Sequence, residues 1–344
     1  MAQKVKLSTI AEALGLSTAT VSLALRDSPL VAEVTRERIK AEAIASGYIY
    51  NRRAASLRTS KSGIVGVCVH DIMNPFFGEI LIAIEHELDR HRQTFILSNH
   101  YDNLSKQRSF VDTMLQLGAD GLILSPAIGT PASDLELAEG NSLPVVLIAR
   151  TVEGSDAGSF RGDDSIGMAM LVRALIAEGH RSIAMVGGTS KTSTGRLREA
   201  GYLHALAEAG IEFRPEWRIA GPRGRHSGFD AAETFVRIAE RPTAVCCFSD
   251  LVALGFMYGL SRAGLRPGID VAVAGYDDID EAAIATPPLT TVANGQKEVG
   301  RRAASALLAR LGGTAFAETE ELIVPELRMR QSSGFDWNAR PDLK

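Results

Sequence analysis

Seven short, continuously apolar runs alternate with helix-length stretches from residue 63 onward, and this alternation constrains the fold more than any other feature of the chain. Four come first, GIVGVCV (63–69), TFILSN (94–99), DGLILS (120–125) and PVVLIA (144–149). Three follow, SIAMVGG (182–188), TAVCCF (243–248) and DVAVAGY (270–276). Amphipathic stretches near 77–92, 104–117 and 132–139 separate the first set, and stretches near 164–178, 195–210, 227–240 and 250–264 accompany the second. A strand without a polar face is buried on both sides, so the pattern predicts parallel sheets covered on both faces by helices. The two sets predict two doubly wound lobes in an α/β protein. Ligands of such sheets settle at the carboxyl ends of the strands, and a cleft between lobes sets two of those rims face to face. A helix near 295–312 and the apolar ELIVPEL at 321–327 are expected to return to the first lobe.

The first fifty residues obey a different period. Within LSTIAEALGLSTATVSLALRDSPLVAEVTRERI (7–39), Ile10, Ala13 and Leu14 share a face of one short helix. Val21, Ala24 and Leu25 share a face of a second, and a third helix follows a loop containing Pro29. Gly15 suits a left-handed C-terminus for the first helix, and the Ser17 hydroxyl can cap the second. Helices this short must pack crosswise, which leaves the start of the second exposed. There Thr18, Ala19, Thr20, Ser22 and Leu23 are expected to point outward, as in a helix that enters a major groove. A plain helical hairpin is the competing reading. Residues 1–62 hold ten Lys or Arg against five Asp or Glu, a charge of +5, while the whole chain is −4 and the remainder therefore −9. A basic head on an acidic body suits attraction to phosphates.

Cys68, Cys246 and Cys247 lie in apolar strand-like runs and read as small buried hydrophobes, which fits a reducing cytoplasm. No Cys/His spacing matches a metal site, no cofactor is called for, and no apolar run reaches the roughly 20 residues that cross a bilayer. Between head and lobes, NRRAASLRTSKSG (51–63) is polar and basic, long enough for one or two helical turns that need a partner to order. Leu57 within it is either an incidental surface residue or a wedge for the minor groove.

The order of these parts, with ATVSLALRDSPLVAEVTRERI, GYIYNRRAASLRTSKSGIVGV, NPFFGEI, RLREAGY and VAGYDDID, resembles the lactose-repressor family of bacterial transcription regulators over about residues 4–330. The resemblance implies a helix-turn-helix head at 1–50, a hinge at 51–62 and an effector-binding and dimerisation domain of the periplasmic-binding-protein type at 63–330. Its first lobe would comprise about 63–162 and 294–326, its second about 163–293, with a tail at 331–344. It also implies a homodimer on near-palindromic double-stranded DNA, a sugar-like small-molecule effector and no membrane role. By position, Thr18 and Ala19 fall where the family reads bases, and Thr20 and Ser22 where it touches phosphates. Ser17, Arg26, Asn51 and Arg52 complete the DNA surface. Leu23 departs from an Arg found in many members and offers only apolar contact. Leu57, with Ala54 and Ala55 beside it, matches the leucine that the family drives into the minor groove. Lys6 and Ala32 stand where Ser or Thr usually opens the first and third helices, so Ser8 or Thr9 is expected to cap the first instead, Thr9 with Glu12 as a capping box.

In the cleft, the resemblance places Arg198 and Asp277 against ligand hydroxyls. The fork of one donates, the carboxylate of the other accepts, and a ligand lacking hydroxyls leaves both unpaired. A structural ion pair is the alternative for these two. Phe76 and Phe77 fall where the family stacks an aromatic ring, though two phenylalanines opening a helix also suit a core. Ser125, Arg150, Asp163, Ser249 and Asp250 end or follow strands and rank behind them. Ala149 departs from a frequent Asp. Arg223, with Arg225 and His226 nearby, stands near a usual aromatic and is either a solvated loop residue or a contact for an acidic ligand. A cytoplasmic sugar-binding protein with no DNA role is opposed by the basic head, and an enzyme on the same scaffold by the lack of G-x-S-x-G, G-x-x-x-x-G-K-[ST] and G-x-G-x-x-G motifs. The last residues, QSSGFDWNARPDLK, lack heptads, so a dimer is expected rather than a coiled-coil tetramer.

Overall fold

The computed structural model describes residues 5–49, 61–221, 223–314 and 320–334. The chain divides into two units, 1–62 and 63–344.

In the first unit, α1 (Leu7–Leu14), α2 (Thr18–Ala24) and α3 (Glu33–Ala45) enclose Ile10, Ala11, Val21, Ala24, Val31, Ile39 and Ala43. Gly15 ends α1 at φ 67°, and the Ser17 hydroxyl accepts the Thr20 amide at 3.1 Å. Two details differ from expectation. The buried face of α1 holds Ala11 rather than Ala13, because α1 packs on both α2 and α3 and its buried arc turns toward the second contact. The Thr9–Glu12 capping box does not form, since α1 begins at Leu7 and Thr9 lies inside it. Ala32 caps α3 without a side-chain bond; Arg36, in the first turn, donates to the Val31 carbonyl at 2.8 Å and pairs with Glu33 at 2.9 Å.

The second unit has two parallel sheets. The first runs β11-β5-β4-β3-β1-β2, built from β1 (Ile64–Val69), β2 (Thr94–Asn99), β3 (Gly121–Leu124), β4 (Val145–Ile148), β5 (Gly158–Gly162) and β11 (Glu320–Ile323). Its strands alternate sides. Val65, Val67, Ile123, Val146 and Ile148 meet α4 (Pro75–Arg90) and the last long helix, α11 (Gln296–Leu311), while Cys68, Leu122, Leu124, Val145 and Leu147 meet α5 (Leu104–Leu117) and α6 (Ala132–Gly140). A period of two with apolar residues at every position is how a continuous apolar run serves two helix layers.

The second sheet, β7-β6-β8-β9, repeats the plan with β6 (Ile183–Val186), β7 (Arg218–Ile219), β8 (Ala244–Cys247) and β9 (Ala272–Ala274). Ala184, Val186, Val245 and Cys247 face α9 (Arg225–Val236) and α10 (Asp250–Arg262); Ile183, Met185, Ala244 and Cys246 face α7 (Asp164–Ala177) and α8 (Ser193–Glu208). All three cysteines are free and buried, and burial pushes the Cys68 and Cys246 thiols up to about 12.

ELIVPEL does not return whole to the first lobe. Pro325 has no amide hydrogen and disfavours continued pairing. Glu320–Ile323 joins β5, whereas β12 (Glu326–Arg328) pairs antiparallel with β10 (Thr291–Ala293), beside the second lobe's core. Residues 331–333, the start of the expected C-terminal tail, are built into that lobe as well. Ser332 donates to the Val273 carbonyl at 2.6 Å and accepts the Thr290 amide at 2.8 Å. The chain therefore crosses between lobes at 162–163, 294–295 and 324–325, and the crossings touch. The Asp163 amide donates to the Ile323 carbonyl at 3.0 Å, and a Cβ on Gly162 would lie 1.6 Å from Asn294 Oδ1.

Candidate functional site

On the first unit, Ser17, Thr18, Ala19 and Arg26 are exposed at α2 and its end, and Thr20 is half-buried with its hydroxyl 2.9 Å from that of Ser17. Ser22 and Leu23 do not point outward as expected. Ser22 is 5% exposed and Leu23 packs against the core, because α2 is clasped by α1 and α3 and buries more than one stripe. Arg26 Nε donates to the Ser22 carbonyl at 3.1 Å. Asn51, Arg52, Ala54, Ala55 and Leu57 lie outside the described residues.

In the second unit a cavity of about 330 Å³ is walled by both lobes. The first lobe supplies His70, Phe76, Phe77, Tyr101, Asp102, Ala149 and Arg150; the second supplies Thr189, Thr192, Thr194, Arg198, Arg223, Phe248, Ser249 and Asp277; Asn294 comes from a crossing. These positions cluster at strand ends and helix starts, where residues leaving the sheet are free to project into the rim. Asn74 accepts the Phe76 amide at 3.1 Å and fixes the start of α4, so that Phe76 and Phe77 meet edge-on at 5.2 Å while reaching the cavity.

Arg198 is bound on several sides. Nε donates to Asp164 at 2.7 Å, one terminal nitrogen donates to the Phe248 carbonyl, and the other reaches Asp277 at 3.3 Å. Its guanidinium carbon lies 3.7 Å from the Tyr276 ring centroid, a cation–π geometry. Burial opposes its charge, but Asp164 and Asp277 hold it protonated above the usual guanidinium range. Asp277 is 4% exposed with φ 115°, and burial raises its carboxyl to about 8 against the pull of Arg198.

At the other end, Asp102 joins the lobes. It accepts from Arg150 of the first lobe and Arg223 of the second, each at 2.5 Å. Burial would raise this carboxyl, but the bond and charge of Arg150, with His70 and Arg223, bring it down to about 2. His100 accepts the Asp102 amide at 3.1 Å and so anchors the loop. Burial keeps neighbouring His70 well below its usual range.

Three candidates stand behind the wall rather than in it. Ser125 lies 3.2 Å from His70 and bonds His100 through its carbonyl at 2.8 Å. Asp163 caps α7 by accepting the Ile166 amide at 3.0 Å. Asp250 is fully buried, accepting from the Ile279 amide at 2.9 Å and the Thr291 hydroxyl at 2.5 Å, which braces the turn that carries Asp277. Arg225 pairs with Glu281 away from the cavity, whereas Arg223 lines it. Asp102, Asp164 and Phe248 escaped the sequence reading, although Asp102 and Phe248 follow strand ends and the rim rule points to such positions. Among the described residues there is no group of His, Cys, Asp and Glu suited to a metal ion, and no single helix long and apolar enough to cross a membrane.

A helix-turn-helix unit joined to a two-lobed body with a polar inter-lobe cavity defines the class of ligand-controlled DNA-binding regulators. A family model described as a periplasmic binding protein-like domain matches residues 172–333. The chain is 32% identical to the HTH-type transcriptional repressor PurR of Erwinia tasmaniensis over 94% of its length and 95% of the relative's, and 30% identical to the ribose operon repressor of Haemophilus influenzae over 88% and 90%. Among solved structures it is similar to the Lac repressor dimer bound to operator and the anti-inducer ONPF, with a TM-score of 0.85 at 26% identity, covering 96% of this chain and 99% of that one. The regulator CelR in complex with cellobiose gives 0.72 at 26% identity, covering 96% and 100%. The chain belongs to the lactose-repressor family and is a ligand-controlled DNA-binding transcriptional repressor, not an enzyme.

Proposed function

We propose that the repressor acts in the cytoplasm as a homodimer on a near-palindromic operator, and that a sugar or sugar derivative held between the lobes sets its operator affinity. The observation that carries the ligand reading is the pairing of Arg198 and Asp277 in a cavity whose wall also includes Phe76 and Phe77, both otherwise part of the first lobe's core. Arg198 is held rigid by its partners, so it can meet a hydroxyl pair without losing conformational freedom, and Asp277 supplies the complementary acceptor. The apolar rings cover the carbon face of a sugar. Such a ligand touches both lobes, which favours one lobe angle over others and shifts the population of DNA-binding states.

On the DNA side, Thr18 and Ala19 read base edges from the exposed start of α2, with Ser17, Thr20 and Arg26 at the phosphates. Residues 51–62 act as a hinge in which Leu57 enters the minor groove. A coupling of about 1–3 kcal/mol between ligand and operator is the ordinary range. Fluorescence anisotropy with the DNA upstream of the coding sequence, repeated with a sugar panel, tests both halves and reads the sign of the coupling. The Leu57→Ala variant is expected to lose specific affinity while keeping salt-sensitive binding to random DNA. Unchanged specific affinity in that variant would refute the hinge role, and no effect of any ligand on operator binding would refute the effector role.

A further inference from the structure

The two ends of the cavity are built differently. Around Arg198 the guanidinium is matched by Asp164 and Asp277, with Arg161 also 4.0 Å from Asp164. At the Asp102 end two guanidiniums share one carboxylate, and the adjacent His70 is held neutral by burial. Arg150 and Asp102 already form a sufficient buried pair, with Arg150 also donating to the Pro126 carbonyl at 3.0 Å. Arg223 is surplus to that pair. Its side chain is 51% exposed, and among the described residues its guanidinium meets only Asp102. Arg150 Nε is buried with no hydrogen-bond partner. An undercommitted arginine beside a buried one stands at one end of a cavity whose other end presents hydroxyl-binding groups. The guanidinium fork matches carboxylate and phosphate oxygens in pairs, a geometry a neutral hydroxyl does not exploit.

We infer that the ligand is a polyhydroxy compound bearing an acid group, and that Arg223 and Arg150 receive this group at the rim while Arg198 and Asp277 hold the hydroxyls. The inference rests on the effector-site reading above. Asp102 then sets selectivity, since its carboxylate competes with the ligand's acid group for the same two guanidiniums. The cavity volume of about 330 Å³ suits a single sugar-sized body.

Calorimetry on the full chain tests this with glucose, galactose, mannose and ribose, their aldonates and uronates, and their phosphates. An acidic member is expected to bind at least about tenfold more tightly than its neutral counterpart, the scale of one charged hydrogen bond. The carboxylate and phosphate series separate the two sources of negative charge. Arg223→Gln is expected to collapse the acid-to-neutral ratio toward one, while Asp102→Asn is expected to raise it; a merely structural clasp would lower both affinities together in either variant. Thermal melts of each variant confirm that it is folded, and Arg223→Gln, altered at a half-exposed site, keeps the test open if Asp102→Asn does not fold. Equal binding of neutral and acidic members, or an unchanged ratio in Arg223→Gln, overturns the acid-group inference and leaves the effector site standing. Binding of no member, with no change in operator affinity, overturns both.

Discussion

At one end of the cavity a guanidinium is engaged through all three nitrogens and stacked on an aromatic ring; at the other, two guanidiniums divide one carboxylate. Arg198, Asp164 and Asp277 are almost fully buried, so their charges are met chiefly by one another, with the Phe248 carbonyl and Arg161 beside them. The Asp102 cluster mixes a buried arginine with a half-exposed one, and water can replace what Arg223 provides. The first arrangement is a fixed template, and the second can exchange partners when a ligand arrives. Burial, more than the number of ion pairs, separates the two roles.

The largest effect is expected at Arg198. Arg198→Ala leaves Asp164 and Asp277 buried without their cation and is expected to cost about 3–5 kcal/mol of stability, measured by chemical denaturation of the second unit's transition. A loss within the range of a surface pair would make the two ends equivalent.

A pH titration of stability probes the same difference from the carboxyl side. Asp277 and Asp250 are raised to about 8 and about 7 from 3.8, so the folded state binds more protons than the unfolded one between those limits. Stability therefore falls as pH rises from about 4 through about 8, with a slope of up to about 1.4 kcal/mol per pH unit for each responsive group. Asp102, lowered to about 2, acts in the opposite sense; its contribution is present above about 4 and is lost as pH falls through about 2. Asp250→Asn is expected to flatten the neutral-range slope, and an unchanged slope would remove Asp250 as a source of it. The smallest effect belongs to Arg223→Gln, expected to change stability by about 0–1 kcal/mol in the same denaturation assay despite its short ion pair.

The lobes were legible because their strands carry apolar residues on both faces, and the helices between them could be placed within a few residues. β5 was not, since GSFRG reads as a loop; its polar Arg161 is accommodated by Glu320 of β11, a partner 159 residues away. For Arg198 and Asp277 the residues alone left a ligand contact and a structural ion pair open; the family resemblance pointed to the cavity, and the structure puts both in its wall while also pairing them. The site was ambiguous for Asp163, Ser249 and Asp250, because an Asp or Ser after a strand serves equally as a helix cap or as a rim contact. Only tertiary packing made Asp163 a cap, Asp250 a brace, and Ser249 both a cap and part of the wall. Asp102 acquires its role from Arg223, whose side chain approaches from 121 residues away and which no local pattern connects to it.

The three touching crossings between the lobes have a mechanical consequence. Asp163 bonds Ile323, and Gly162 lies so close to Asn294 that no side chain fits between them. Three passes of chain braced on one another resist sliding and separation more than three independent passes would, so the lobes are held most firmly where the chain changes lobe.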